Sequence, residues 1–120
     1  MTGSVNLLDT MSALARHAAK RHAVIADNIA NADTPGYKAQ DLKPFSEVFS
    51  QSVREGKNIK QMGSDMTAMP TSDIASPNGN NVSLEQQMML SAQNKADHDM
   101  ALAVYKKTLD MMKMAIGKNL

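Results

Sequence analysis

The chain has 120 residues, a formal net charge of +1, only 3% aromatic residues and no cysteine. A chain of this length has room for one domain at most, which we place over residues 1–120. The balanced charge does not predict nucleic acid or an acidic membrane as the main partner, and without cysteine there is no disulfide or thiolate chemistry. Methionine is abundant instead, with 11 residues. Because methionine is flexible and fills irregular gaps, this composition favours long helices packed against neighbours over a rigid globular monomer.

Membrane and secretion signals are not evident in the sequence. No apolar run reaches the roughly 18 residues that indicate a transmembrane helix. The first basic residue is Arg16, so nothing corresponds to the charged region that opens a secretory signal. We therefore expect that, if the protein leaves the cytoplasm, another route carries it.

The first predicted element is a long helix over residues 6–31, preceded by a small, polar and frayed start at residues 1–6. Its apolar face recurs in steps of three and four residues, which is a helical period. The positions on this face are Leu7, Met11, Leu14, Ala18, His22, Ile25 and Ile29.

The stretch 28–37 combines signals for a helix end and a tight turn. Pro35 disfavours helical geometry at Thr34, so the helix should end before that residue. Pro35 and Gly36 fit the two central positions of a type II turn, because proline presets φ at the first and glycine accepts a positive φ at the second. Asn31 is predicted to terminate the helix in a left-handed conformation. Turn residues alone are equally consistent with an ordinary helix end.

The middle of the chain carries weaker signals. Residues 32–43 are predicted as a turn and an extended segment, and residues 44–81 as a short helix followed by a variable, irregular stretch. The short helix should begin with Pro44 as its first helical residue and end near Glu55, with Gly56 as the stop. Its predicted apolar face consists of Phe45, Val48, Phe49 and Val53. A segment as long and aperiodic as 57–81 is expected to be either functional or disordered.

The last predicted element is a second long helix within residues 82–117, running from about 84 to 116. It opens with a capping box, in which Ser83 caps the helix and Gln86 reaches back. Its predicted seam contains Leu84, Met88, Leu102, Tyr105, Leu109, Met112 and Ile116. From Leu102 onward the steps of three and four are typical of a coiled coil. The predicted fold class is therefore all-α, with the two long terminal helices forming an antiparallel, coiled-coil-like hairpin.

Such a hairpin buries only one stripe of each helix, which rarely stabilises a chain of this size. The last helix also carries apolar residues away from the seam, namely Met89, Leu90, Met100, Val104, Met111 and Met114. Left exposed, they would form a patch of the kind that marks an interaction site. The sequence thus predicts a helical protein that is completed by association.

Chemical sites have little support in the sequence. His17 and His22 are five residues apart, which does not place them on one face of a helix as a metal pair, so we interpret them as surface or interface histidines. Asp97, His98 and Asp99 are adjacent in the predicted helix and point in different directions, so we interpret them as part of a solvated face and not as a metal site. The methionines at 111, 112 and 114 fit helix packing better than soft-metal binding. We therefore expect no catalytic, cofactor-binding or metal-binding residues, no small-molecule substrate and no enzymatic activity.

The stretch 28–37 resembles the signature of the bacterial flagellar rod, hook and filament-junction proteins. The residues that carry the resemblance are Asn28, Ala30, Asn31, Thr34, Pro35, Gly36 and Tyr37. Within this family the chain looks most like the proximal rod proteins, on account of its short length, Asp41, the segment 82–89 and Asn94. The resemblance covers about residues 1–45 and 81–117.

The resemblance implies a structural subunit of the flagellar basal body rod, located in the periplasmic rod and self-associating helically into the drive shaft. The implied partners are further copies of the chain, neighbouring rod proteins, the adaptor proteins of the inner-membrane ring and the flagellar type III export apparatus, with export lacking a cleaved signal. The terminal helices would form an inner packed layer, and the expected assembly interface comprises Leu7, Met11, Leu14, Ile25, Ile29, Leu102, Tyr105, Leu109, Met112 and Ile116. Alternatives are another short rod protein or, from a different class, a helical adaptor or export chaperone.

Overall fold

The computed structural model describes residues 2–60 and 66–117. Two long helices, α1 (Thr2–Ala30) and α3 (Leu84–Gly117), account for most of the molecule. Between them lie a two-residue strand β1 (Gln40–Asp41), the short helix α2 (Phe45–Arg54) and a second two-residue strand β2 (Met69–Pro70). The principal-axis extents of 67 × 29 × 15 Å describe an elongated shape. The predicted all-α hairpin fold is confirmed.

The two long helices run antiparallel. Asn28, near the end of α1, donates a hydrogen bond to Gln87, near the start of α3. Ten residues earlier in α1, the carbonyl of Ala18 accepts a hydrogen bond from Asn94, further along α3. Because the paired positions move in opposite directions along the two helices, the chain folds back on itself as a hairpin.

Helix α1 begins at Thr2, so the prediction of a frayed start over residues 2–6 is wrong. No proline interrupts residues 2–10, and once a helix is nucleated each further residue adds a backbone hydrogen bond. The hydroxyl of Thr10 also donates to the carbonyl of Asn6 at 2.8 Å. At the other end α1 stops at Ala30, before Thr34 as predicted.

Helix α2 packs across one side of α1. The core here consists of Ala13, Val48 and Met66, with Phe45, Phe49 and Ile59 packed against it. His17 belongs to the same contact, because it is only 4% exposed, its Nε2 lies 2.7 Å from the carbonyl oxygen of Lys43, and its ring meets that of Phe45 edge-on at 5.7 Å. The prediction of a surface or interface histidine is therefore wrong for His17, whose ring is paired inside the subunit. His22 is exposed.

The boundaries of α2 differ from the prediction by one residue at each end. Pro44 has ψ 143° and is the N-cap, not the first helical residue.

The buried face of α2 also differs from the prediction. Val53 is 59% exposed, and Ser52 is buried in its place, because the helix is rotated so that positions 48 and 52 point inward. Gly56 is the predicted stop: its φ is +70°, and the amides of Gly56 and Lys57 donate to the carbonyls of Val53 and Ser52. This is the hydrogen-bond pattern of a Schellman motif.

The long connection between α2 and α3 is largely irregular, as predicted, although residues 61–65 lie outside the described part of the chain. β2 pairs antiparallel with β1, with Gln40 opposite Pro70 and Asp41 opposite Met69. Sequence periodicity did not predict this ladder, because two residues are too few to show an alternating pattern.

The face of α3 that meets α1 is not the predicted seam. The buried residues recur at every seventh position, at Gln87, Asn94, Ala101 and Thr108. The heptad spacing was predicted, but the predicted seam lies to one side: Leu84, Met88, Leu102 and Ile116 are exposed, while Tyr105, Leu109 and Met112 are half-buried. Small and amide side chains occupy the contact because the facing surface of α1 is rich in alanine, which lets the two backbones approach closely enough for the 2.7 Å bond from Asn94 to the Ala18 carbonyl.

Candidate functional site

The stretch 34–37 forms the predicted type II turn. The amide of Tyr37 donates to the carbonyl of Thr34 at 3.2 Å, and Gly36 has φ +77°. A Cβ added at Gly36 would meet nothing within 4 Å. The need for glycine therefore comes from the backbone conformation and not from crowding.

The side chain of Asn28 joins this turn to both long helices. It is 1% exposed, and all four hydrogen-bonding positions of its amide are used. Its Nδ2 donates to the carbonyl of Gln40 at 2.8 Å and to Oε1 of Gln87 at 3.0 Å. Its Oδ1 accepts from the hydroxyl of Tyr37 at 3.1 Å and from the amide of Gln40 at 3.0 Å. One buried amide thus connects α1, the end of the turn, β1 and α3.

A second set of contacts attaches the segment before α3 to the same turn. Asn80 is 4% exposed, and its Nδ2 donates to the carbonyls of Asn31 and Thr34 at 2.8 and 2.7 Å. The Oδ1 of Asn81 accepts from the amide of Ala39 at 2.6 Å. These side chains provide hydrogen-bond partners for backbone groups of the irregular segments, which have no partner in a helix or a sheet.

The Asn80 contact also explains how α1 ends. Asn31 does not have a positive φ, so its predicted left-handed conformation is wrong. Its Nδ2 donates to the carbonyl of Asp27 at 2.8 Å, and its own carbonyl accepts from the amide of Thr34 and from Asn80. Because side chains and a following turn satisfy the last carbonyls, no left-handed residue is needed to do so.

Backbone approaches backbone where the two segments meet. The amide of Gly36 donates to the carbonyl of Asn78 at 2.9 Å. A Cβ on Gly79 would lie 3.2 Å from the Cα of Gly36. Gly79 also has φ +86°, so both its conformation and its surroundings favour glycine. The side chain of Lys38 donates to the carbonyl of Gly79 across the same contact.

Charged and titratable groups reinforce the junction. Arg21 of α1 and Asp41 of β1 form a bidentate ion pair, with Nε–Oδ1 and Nη2–Oδ2 distances of 2.9 Å. This hydrogen bonding to Asp41 raises the pKa of Arg21, and burial raises the pKa of Tyr37, to which the charge of Asp27 adds. Tyr37 therefore keeps the proton that it donates to Asn28 over a wider pH range than a free tyrosine.

The residues predicted as the assembly interface occupy three environments. Leu7, Ile29, Leu102 and Ile116 are exposed, Met11, Leu14, Tyr105, Leu109 and Met112 are half-buried, and Ile25 is buried at 2% exposure. The structure brings Met11, Leu102 and Tyr105 together along a groove between α1 and α3. Ile25 lies inside the subunit and is not presented on its surface.

Sequence reasoning singled out Asn28 and the turn but did not identify Asn80, Asn81, Gly79 or Gln87. The run Asn78-Gly79-Asn80-Asn81, separated from the capping box only by Val82, was the available signal. The cap itself is present, since the amide of Gln86 donates to Oγ of Ser83 at 3.3 Å. Asparagine side chains commonly bond nearby backbone groups, as Oδ1 of Asn80 does with the amide of Val82 at 2.8 Å, whereas the Asn31 and Thr34 carbonyls that Nδ2 of Asn80 bonds are distant in sequence.

Within residues 2–60 and 66–117, no three His, Asp or Glu side chains are grouped so that they could hold a metal ion. None of the helices described here has both the length and the hydropathy that crossing a membrane requires. The site is a network of amide, backbone and ion-pair contacts that fixes how the chain turns, with the exposed apolar faces of the helices beside it.

The sequence of the chain is similar to those of known proteins. The family described as "Flagella basal body rod protein" matches residues 8–38, which include most of α1 and the whole turn. The flagellar basal body rod protein FlgB of Salmonella typhimurium is 30% identical over 119 residues, covering 84% of this chain and 86% of that protein. This chain belongs to the FlgB family of flagellar basal body rod proteins.

Further relatives agree with this membership. The FlgB protein of Agrobacterium fabrum is 29% identical over 127 residues and covers 95% of both chains. The FlgB protein of Escherichia coli is 30% identical over 110 residues, covering 71% of this chain and 74% of that protein. The chain is a structural subunit of the bacterial flagellar basal body rod and not an enzyme, as predicted from the resemblance.

Replacing Asn28 with aspartate should destabilise this rod subunit. The carboxylate keeps both acceptor contacts but loses both donors, which leaves the Gln40 carbonyl and Oε1 of Gln87 facing a negative oxygen. We expect a loss of about 1–3 kcal/mol in the free energy of unfolding, the range for a buried group left without its partner. The urea midpoint of the purified protein measures it. The exposed Asn58→Asp variant is the matched control, and equal midpoints for the two variants would contradict the assigned network.

Replacing Gly36 tests the turn. Gly36→Val places a β-branched residue at φ +77°, which should cost about 1–3 kcal/mol. Gly36→Asn should cost less, because asparagine enters the left-handed region more readily. A Cβ at this position meets nothing within 4 Å, so the first side-chain atom, which both variants share, is accommodated without a clash. We expect the valine variant to be exported without building a rod and the asparagine variant to keep partial motility in soft agar. Equal motility and equal basal-body yield would show that the backbone conformation is not what matters.

Proposed function

We propose that this rod subunit forms the proximal part of the rod by stacking helically with copies of itself and with neighbouring rod proteins, and that the resulting shaft transmits motor torque. The proposal rests on one observation, namely that small and polar side chains of α3 face α1 while its large apolar side chains face solvent. The residues facing α1 are Gln87, Asn94, Ala101 and Thr108, whereas large apolar side chains point to solvent. A single subunit therefore leaves unburied the surface that would contribute most to hydrophobic stabilisation.

These apolar side chains fall on two different sides of the stripe that faces α1. At about 100° per residue, the first flank contains Leu84, Met88, Leu102, Leu109 and Ile116. The second flank contains Met89, Met100, Met111 and Met114. All nine are at least 49% exposed except Leu109, which is half-buried.

Two distinct flanks suit a helical assembly. When one surface patch contacts a different patch on the next copy, the contact is heterologous and generates an open helical array unless the rotation closes into a ring. The second flank is made of methionine, which adapts to irregular partner surfaces. We infer that the second flank of one subunit packs against the first flank of a neighbouring subunit or rod protein.

Helix α1 contributes to the same outer surface. Leu7 and Ile29 are each 40% exposed, and Met11 and Leu14 are half-buried. These four residues remain part of the proposed assembly interface, together with Leu102, Tyr105, Leu109, Met112 and Ile116. Ile25 supports that interface from inside, because it is packed within the subunit.

Aspartate substitutions on the flanks test the proposal. Met100→Asp and Met88→Asp lie on the second and first flank, and because these side chains are 51% and 68% exposed in the subunit, its own stability should change little. In the assembled rod each aspartate would enter an apolar contact at a cost of several kcal/mol. We expect both variants to be produced and exported but to abolish swimming in soft agar.

The matched control is Ala92→Asp, an exposed position of α3 on the polar side between the two flanks. It should retain motility and wild-type circular dichroism. Leu109 and Met112 are less suitable, because they are half-buried and a change there would also affect the hairpin. Normal swimming by both flank variants would contradict the proposed interface.

We also propose that the subunit reaches the rod through the flagellar type III export apparatus without a cleaved signal, and that the adaptor proteins of the inner-membrane ring are among its neighbours. The support is the resemblance of residues 28–37 to the signature of the flagellar rod, hook and filament-junction proteins. Mass spectrometry of the protein from purified basal bodies should find a chain that still contains the N-terminal residues of α1 from Thr2 onward. A start far downstream would contradict export without cleavage.

A further inference from the structure

The loop that docks on the type II turn contains a reactive dipeptide. Asn78 is followed by Gly79, and this is the one Asn-Gly pair in the sequence. Residues 76–80 form a tight loop in which the Gly79 amide donates to the carbonyl of Ser76 at 2.8 Å and the Ser76 amide donates to the carbonyl of Asn80 at 2.7 Å. A type I turn followed by a left-handed glycine has this pattern. The side chain of Asn78 is exposed, so water reaches it.

We propose that Asn78 is a site of spontaneous deamidation whose rate is controlled by docking of the 76–80 loop against Gly36. In this reaction the Gly79 nitrogen gives up its proton to solvent base and bonds to Cγ of Asn78. Nδ2 then takes a proton from solvent, the bond from Cγ to Nδ2 breaks, and ammonia leaves. Water opens the resulting succinimide to aspartate or isoaspartate at position 78. Glycine at position 79 favours the ring-closing step, because it has no side chain to hinder the approach of its nitrogen to Cγ of Asn78.

The docked structure holds both reacting groups in other contacts. The Gly79 N–H is hydrogen-bonded to the Ser76 carbonyl, so it must break that bond before it loses its proton. The Oδ1 of Asn78 accepts from the amide of Asn80 at 3.1 Å. The backbone between them is held in place because the carbonyl of Asn78 accepts from Gly36 and the carbonyl of Gly79 accepts from Lys38. The reaction therefore needs a local opening of the loop. The free energy that this opening costs lowers the rate of deamidation.

The product would weaken the contact that protected the site. Isoaspartate carries the chain through the side-chain carbon and adds a methylene to the backbone at position 78. This displaces the carbonyl that accepts from Gly36 and shifts the neighbouring Asn80, which holds the end of α1. A subunit that stays undocked for a long time would thus lose the ability to fix its turn. This inference concerns the isolated chain and does not depend on the proposed assembly.

The test follows deamidation of the full-length protein by peptide mass spectrometry in mildly alkaline buffer, with and without denaturing urea. Asn58 is a matched internal control, since its Oδ1 accepts from the amide two residues later, as in Asn78, but Ile59 follows it. In urea, Asn78 should react much faster than Asn58. In native buffer the Asn78 rate should fall by about tenfold or more, which corresponds to an opening free energy of about 1.4 kcal/mol.

Two variants test the docking itself. Gly36→Ala strains the turn, and Lys38→Ala removes an exposed side-chain contact without touching the core. Each is compared with itself in urea, so that effects on the intrinsic chemistry cancel. The protection factor should decrease in both, and in Lys38→Ala with unchanged circular dichroism. Equal rates in native buffer and urea, or unchanged protection in Lys38→Ala, would overturn control by docking. Asn78 reacting no faster than Asn58 in urea would overturn the site.

Discussion

The rest of the structure depends on the amide of Asn28. This side chain is nearly inaccessible to solvent. It donates two hydrogen bonds, to Gln40 and Gln87, and accepts two, from Tyr37 and Gln40. A buried amide with all its partners contributes modestly to net stability, but leaving any of those groups unpaired is costly, so alternative arrangements of the three segments are disfavoured. The direction in which the chain leaves α1, the position of β1 and the register of α3 are therefore coupled through one residue.

The polar character of the hairpin contact has a consequence for assembly. Asn94 and Thr108 lie in the stripe that faces α1, and methionines such as Met100 and Met111 lie outside it. Hydrogen bonds such as that from Asn94 to the Ala18 carbonyl fix the register of the two helices, while the large apolar side chains of α3 remain exposed in the subunit. The polar contacts thus specify the fold of the subunit, and the proposed assembly would bury the apolar side chains that they leave exposed.

Local chemistry predicted the elements well and the pairing between them less well. Pro35, Gly36, Gly56 and Ser83 act through their own backbone geometry or that of near neighbours, so the turn, the stop of α2 at Gly56 and the N-cap of α3 could be predicted from the sequence. The seam of α3 could not, because apolar periodicity does not distinguish a face that meets α1 from a face that meets another subunit. Asn80 and Asn81 were missed because their partners lie more than forty residues away.

The close contact between Gly36 and Gly79 requires glycine at two positions that are distant in the sequence. Gly36 adopts its left-handed conformation because the turn requires it, and Gly79 needs both a left-handed conformation and the absence of a Cβ beside Gly36. Neither residue contributes a side chain, yet together they let the segment before α3 donate and accept across the turn at the end of α1. The chain between these two residues leaves the junction and returns to it at closely apposed points. Within that stretch Gln40 and Asp41 make their own hydrogen bonds to α1, so the two glycines and β1 together determine how the middle of the chain is attached to the hairpin.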